Sequence, residues 1–163
     1  MTPRRIGTAE FDTIWPMLRE VFRAGDTYAV DPQISRDAAS AYWIDQAAAT
    51  YVLDGPDGPV GTYYIKTNQP GGGAHICNCG YIVDPAARGQ GLAAQMCQHS
   101  QQQARSLGYM AMQFNFVLAS NAGAVRLWDK LGFVSVGTIP DAFCLPDGQM
   151  TDAHVMHKRL VSA

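Results

Sequence analysis

The chain has 163 residues, 47% apolar and 16% charged, with a net charge of −2 and a pI near 6.0. That suits one globular domain, 1–163, burying roughly two thirds of its unfolded surface. There is no basic stripe for nucleic acid, no apolar run near the ~18 residues of a membrane span, and no apolar signal core after Met1–Arg5, so the expected compartment is the cytoplasm.

Taken in order, Arg4 to Gly7 reads as an edge strand. Thr8 offers an N-cap, and Ile14, Met17, Leu18, Val21 and Phe22 make the apolar stripe of a first helix that Gly25 ends. The loop 25–32 is richer in aromatic and polar residues than a connector needs. Ser35 then caps a second helix to about Gln46, with Ala38, Ala41, Tyr42 and Ala48 inward. Thr50–Leu53 and Val60–Thr67 flank a Gly/Pro turn and predict a hairpin. Asn68–Ala74, with three consecutive glycines, is a surface connection. An apolar strand from His75 to Val83, a glycine loop, and a helix stopping near Gly108 follow. Strands at Met110–Val117, Val134–Ile139 and His154–Leu160, and a helix at Ala122–Leu131, complete the chain, the last strand preceded by a loop holding Pro140, Pro146 and Gly148. The class is α/β with a mixed sheet.

Four cysteines fit neither a disulfide frame nor a finger-like metal site. Cys77 and Cys79 alternate along one strand, Cys97 lies on a helix and Cys144 in a late loop, and buried thiols are the expectation, with no metal. His75, His99, His154 and His157 show no partner spacing, and no general base is visible. Asp84 before Pro85 is expected to shape a turn. Asp26, Asp31, Tyr28, Tyr63 and Tyr64 are candidates to cover or line a substrate, and Lys130 belongs to a solvated helix face.

The stretch Arg88-Gly89-Gln90-Gly91-Leu92-Ala93, between a strand and a helix N-terminus, aims several backbone N–H groups at one spot. Glycine at 89 and 91 lets the backbone approach a bulky anion, and Arg88 adds a fork of donors, which together make a diphosphate cradle. It lacks the Gly-Lys-Ser/Thr of a P-loop and the third glycine of a dinucleotide fingerprint.

The hexapeptide resembles the pyrophosphate-binding signature of the GCN5-related N-acetyltransferases (GNAT). A second stretch, Asn121-Ala122-Gly123-Ala124-Val125-Arg126-Leu127-Trp128-Asp129-Lys130-Leu131-Gly132-Phe133, is similar to that family's Asn-x-x-Ala-x-x-Leu-Tyr-x-Lys-x-Gly-Phe helix. The resemblance implies a sheet of six to seven strands flanked by about four helices, splayed at its central strands, and acetyl-CoA as cosubstrate. It assigns the pyrophosphate to Arg88, Gly89, Gln90, Gly91, Leu92 and Ala93, the pantetheine amides to Ile82 and Val83, and the acyl arm to Asn121, which also stands where an N-cap belongs. Trp128 replaces the family's usual Tyr, the acid for the departing sulfur, and indole N–H supplies no proton. Packing against cofactor or core is its expected role.

Cys77-Asn78-Cys79-Gly80-Tyr81, followed by Arg-Gly and Trp-Asp-Lys-Leu, resembles the azetidine-2-carboxylate (proline-analogue) N-acetyltransferases. An Asn within an apolar strand needs a satisfied amide. The resemblance implies that Asn78 and Tyr81 orient the substrate, with Tyr28 beside them and Asn78 and Asn121 as the catalytic pair. Strict alternation puts Asn78 and Tyr81 on opposite faces, so a bulge at Gly80 is predicted to bring them together. Backbone N–H groups near Tyr81–Val83 would then hold the thioester oxygen.

The expected reaction is acetyl transfer to a small amino-acid-like amine. Acetyltransferases for phosphinothricin, methionine sulfoximine or aminoglycosides, and a non-catalytic acetyl-CoA-binding module, remain open. A protein-tail acetyltransferase lacks the acidic groove it would need, and a homodimer is the family-level expectation.

Overall fold

The computed structural model describes residues Met1–Ser162. Its strands are β1 Arg4–Ile6, β2 Ala49–Gly55, β3 Gly58–Thr67, β4 Ile76–Val83, β5 Ala111–Leu118, β6 Val134–Cys144 and β7 Met150–Arg159. The helices are α1 Phe11–Ala24, α2 Arg36–Ser40, α3 Leu92–Ser106 and α4 Ala122–Lys130. The seven strands form one mixed sheet in the order β1-β2-β3-β4-β5-β7-β6. All pairs are antiparallel except β4–β5, which is parallel.

Two hydrophobic layers cover the sheet. Ile14, Leu18, Val21 and Phe22 of α1 pack with Trp43, Val52, Tyr64 and Ile82 on one face. Leu92, Met96 and Cys97 of α3 and Trp128 of α4 pack with Tyr51, Tyr63, Cys77, Cys79 and Phe114 on the other. β4 is buried at five of its eight positions and contributes to both layers, which is why it reads as an unbroken apolar run.

Several boundaries differ from expectation. Thr8 caps nothing: Thr8–Glu10 is a 3-10 turn, and the Thr8 hydroxyl donates to Asp45 Oδ1 at 3.1 Å. Ser35 does cap α2, accepting from Ala38 N–H, but the helix runs through a π turn at Ala41–Asp45. That shift of period turns Ala39, Ser40 and Trp43 inward and leaves Ala38 and Ala48 exposed. Gly25 ends α1 as expected, with φ 66° and its N–H on Phe22 O. β6 is longer than expected and takes in Pro140, because a register shift between Ile139 and Phe143, with Asp141 at φ 48°, lets an edge strand hold a proline. Cys77, Cys79 and Cys97 are buried free thiols, whereas Cys144, at the end of β6, is exposed.

Candidate active site

β3 and β4 stay zipped from Thr67↔Cys77 to Gly61↔Val83. β4 and β5 pair only at Ile76↔Ala111, Cys77↔Met112 and Asn78↔Gln113, then part. The splay is therefore present, but the expected bulge at Gly80 is not, since the β3–β4 register runs through Gly80 without a shift. The irregularity lies in β5, where two residues, Asn115 and Phe116, stand between the pairs Phe114↔Met156 and Val117↔His154 and only one, Val155, stands between them on β7. One extra residue bends β5 away from β4. Gly80 serves a different need: a Cβ there would come within 2.7 Å of Tyr64 Cε1, so the absent side chain makes room for the Tyr64 ring.

With no bulge in β4, alternation holds, and Asn78 and Tyr81 stand on opposite faces. Asn78 faces α1 and α2. Its Oδ1 accepts from the Tyr64 hydroxyl at 3.2 Å and its Nδ2 donates to Gln113 O at 2.9 Å, so its amide straps β4 to β5 at the last paired rung. The Tyr81 side chain faces α3, where its hydroxyl is 2.7 Å from Ser100 Oγ. Its ring packs 5.2 Å from Trp128 and 5.8 Å from Phe114, centre to centre.

Backbone polarity in the gap follows from the ladder. Asn68 N–H bonds to Ile76 O and Asp84 N–H to Val60 O, so the even-numbered residues of β4 turn their peptide groups to β3. Those of Tyr81 and Val83 turn toward the space that β5 has left. Ile82, with its peptide group on β3 and its side chain 2% exposed in the α1 layer, is not placed to pair with a ligand strand. The peptide groups of β4 that face the gap are those of Tyr81 and Val83. The Tyr28 hydroxyl donates to Tyr81 O at 2.9 Å, tethering the α1–α2 loop over β4 and leaving the Tyr81 N–H for the gap. Burial raises the pKa of Tyr28, Tyr64 and Tyr81, so all three remain protonated donors.

Beyond Val83, Asp84 Oδ1 accepts from Ala86 N–H at 2.8 Å and shapes the turn. Gly89 and Gly91 have φ of 78° and 76°, with open space where a Cβ would point. The first α3 bond here runs from Gln95 N–H to Gly91 O, which leaves the N–H groups of Leu92, Ala93 and Ala94 without intrahelical acceptors. Arg88, Gly89, Gln90 and Gly91 are exposed beside them. This cradle fits a diphosphate. Asn121 caps α4, its Oδ1 accepting from Ala124 N–H at 3.2 Å. Trp128 is 8% exposed and packs 5.0 Å from Phe114.

One cleft of about 980 Å³ joins Arg88, Val83, Tyr81, Asn78, Tyr28, Asn121 and Trp128. Tyr64 and Asp26 also line it, but Tyr63, bonded to His99 Nδ1 at 2.6 Å on the α3 side, and Asp31, capping its own turn through Gln33 N–H, do not. Lys66, Tyr42, Ser120, the β5 bulge and Leu145–Asp147 line it too. Sequence reasoning missed these as site residues, apart from an inward Tyr42, because a lysine near a strand end or a β6–β7 loop carries no signal of its own. Among the described residues, no group of three or more His, Cys, Asp or Glu side chains is placed to hold a metal, and no helix is long and apolar enough to cross a membrane.

A sequence profile of the Acetyltransferase (GNAT) family matches residues 6–133. The chain belongs to that family. The N-acetyltransferase aca1 of Schizosaccharomyces pombe is 31% identical over 134 residues, 72% of this chain and 64% of that protein. The chain thus spans slightly less than two thirds of that relative. Among solved structures, a GCN5-related N-acetyltransferase from Kribbella flavida superposes with a TM-score of 0.89 at 36% identity, covering 97% of this chain and 96% of that one. YncA of Salmonella typhimurium, solved with its cofactor acetyl-CoA, superposes with a TM-score of 0.85 at 19% identity, covering 100% of this chain and 95% of that one. That last likeness is one of fold.

Proposed function

We propose that this GNAT chain transfers an acetyl group from acetyl-CoA to the amine of a small amino-acid-like molecule, with toxic proline analogues such as azetidine-2-carboxylate as the favoured acceptors. The parting of β4 and β5 after Asn78↔Gln113, inside one cleft that also holds the cradle, carries the reading. Acetyl-CoA would supply an activated acyl carbonyl and a thiolate leaving group of pKa near ~8.5. The cradle from Arg88 to Ala93 would hold its diphosphate. The Tyr81 and Val83 peptide groups would pair with its amide arm and present an N–H to the carbonyl oxygen. Asn121 would bond the arm from the α4 side while capping the helix.

The acceptor enters from the α1/α2 face, where Asn78, Tyr64 and Tyr28 form the wall. Asn78 acts there by fixing the wall and the width of the gap, and its second Nδ2 hydrogen is the one left for substrate. Tyr81 supports the Trp128 side. A small amine loses its proton to water before binding, so positioning supplies most of the rate. A second reading, an acetyl-CoA-binding module without turnover, is favoured by Trp128, whose indole cannot protonate a departing sulfur.

Thiol release from acetyl-CoA against a panel of amines tests the reading. The panel holds azetidine-2-carboxylate, proline analogues, phosphinothricin, methionine sulfoximine, polyamines and an aminoglycoside. Turnover confined to cyclic imino acids is the expected result. Turnover on another amine keeps the reaction and discards the acceptor. Tight acetyl-CoA binding by calorimetry with no turnover favours the binding module.

A further inference from the structure

Lys66 stands directly across from Asn78 on β3, so the two side chains share the α1/α2 face. Its Nζ lies 4.6 Å from the centre of the Tyr42 ring and 4.9 Å from that of Tyr64, half-buried in the wall of the cleft. Tyr64 opposes Gly80, so the ammonium has swung from its own rung toward the gap. Among the described residues no carboxylate comes within 4.0 Å of it; the ion pairs all belong to Arg4 and Arg36. Asp26 and Asp147 line the same cleft without reaching it. Two tyrosine faces attract the charge but accept no hydrogen bond from it in the manner of an anion. Partial burial lowers the lysine pKa, and a bound anion would offset that cost.

The cleft has a second cation, Arg88, at its other end. From Asn78, opposite Lys66, to Val83, just before the turn to Arg88, is five residues of strand, about 16 Å. Arg88 borders the cradle, whereas Lys66 rises beside Asn78 on the α1/α2 face, so the cleft offers a cation at each of two places: one at the cradle, one on the acceptor wall.

We propose that Lys66 binds the α-carboxylate of the acceptor, and that this charge selects amino acids over polycationic amines. The proposal rests on the reading of the cleft as an acetyl-transfer site for small amines. Azetidine-2-carboxylate, phosphinothricin and methionine sulfoximine share an α-carboxylate, while polyamines and aminoglycosides bring further positive charge that Lys66 repels. The anchor is thus independent of which amino acid is acetylated.

The test compares matched acids and amides, azetidine-2-carboxylate with its carboxamide and phosphinothricin with its α-carboxamide, in turnover and in calorimetric binding to the protein saturated with acetyl-CoA or CoA. The wild-type protein should favour the acid by about 10- to 100-fold in kcat/KM, the range of a charge-assisted hydrogen bond. Lys66→Met should raise KM for the acid by a similar factor, erase the acid–amide preference and leave acetyl-CoA affinity unchanged, while Lys66→Arg keeps most of the preference. Melting curves of both variants confirm folding. Acid and amide treated alike by the wild type, a preference that survives Lys66→Met, or binding and turnover of polyamines with no anionic acceptor bound would each overturn the anchor. Activity on phosphinothricin with none on azetidine-2-carboxylate would discard the imino-acid reading while leaving Lys66 in place, provided the acid–amide preference is seen.

Discussion

The two faces of β4 are built to different rules. On the α3/α4 face, Cys77, Cys79, Tyr81 and Val83 belong to a continuous apolar and aromatic layer, and the polar work is left to peptide groups and to the loop that follows. On the α1/α2 face, Asn78, Gly80 and Ile82 look onto side-chain hydrogen bonds linking Tyr64, Tyr42 and Gln113. A cofactor common to a whole family can be held by backbone geometry, which tolerates drift in side chains. An acceptor that differs from member to member has to be recognised by side chains. One strand carries both tasks because its side chains alternate and because β5 leaves it after three rungs.

Gly91→Trp should break the cofactor side outright. The φ of 76° costs a non-glycine residue about 1–2 kcal/mol, and open space around the Cα lets the indole project into the cradle without displacing the core. Acetyl-CoA affinity by calorimetry should fall by about 100-fold or more, the equivalent of losing two charge-assisted hydrogen bonds, with the circular dichroism spectrum retained. Affinity within a few-fold of wild type would place the diphosphate elsewhere.

Gly80→Ala attacks the other side. The new methyl meets the Tyr64 ring, so the ring must move and its bonds to Asn78 and Tyr42 with it. Overpacking of this kind costs about 1–3 kcal/mol, visible as a lower Tm. The loss in kcat/KM should track the acceptor, with acetyl-CoA affinity nearly unchanged. Asn78→Ala is milder in volume and sharper in meaning: about a 10-fold rise in KM for the amine, from one lost hydrogen bond and a loosened rung, is expected. Equal losses for both ligands would show that the Asn78 strap only holds the sheet together.

This division also explains what could be read from the chain in advance. The cradle was legible because Arg88, Gly89 and Gly91 are contiguous, and the α4 cap because Asn121 and Trp128 sit at fixed offsets on one helix. The wall of the cleft on the α1/α2 face was legible in part: Asn78, Tyr28 and Tyr64 stood out as polar or aromatic candidates, but Lys66 did not and Tyr42 read only as inward, since these residues come from separate elements and meet only through β-pairing and helix packing. The splay was expected for the wrong reason. Gly80 in an apolar strand suggested a bulge, but a glycine serves equally to admit a neighbouring ring, and sequence carries no mark of which use applies. The bulge itself lies at Asn115–Phe116, where nothing but ordinary strand residues stands. Likewise α2 kept its Ser35 cap, yet a π turn shifted its buried face by one residue, a change that no periodicity argument sees.

The smallest effect belongs to the residue that departs most visibly from the family pattern. Trp128 packs against Tyr81 and Phe114 as part of the aromatic layer, and that layer, rather than an acid–base role, accounts for its position. Trp128→Tyr would restore a phenol at the family's usual place while giving up part of the indole packing. A thiol of pKa near ~8.5 departs readily as thiolate, so kcat should stay within about threefold of wild type. A larger rise would mean that sulfur protonation limits the present enzyme and that the aromatic layer has been kept at the expense of rate. A flat result would place the burden of catalysis on the Tyr81 and Val83 peptide groups and on the acceptor wall, where the differences among family members would then have to lie.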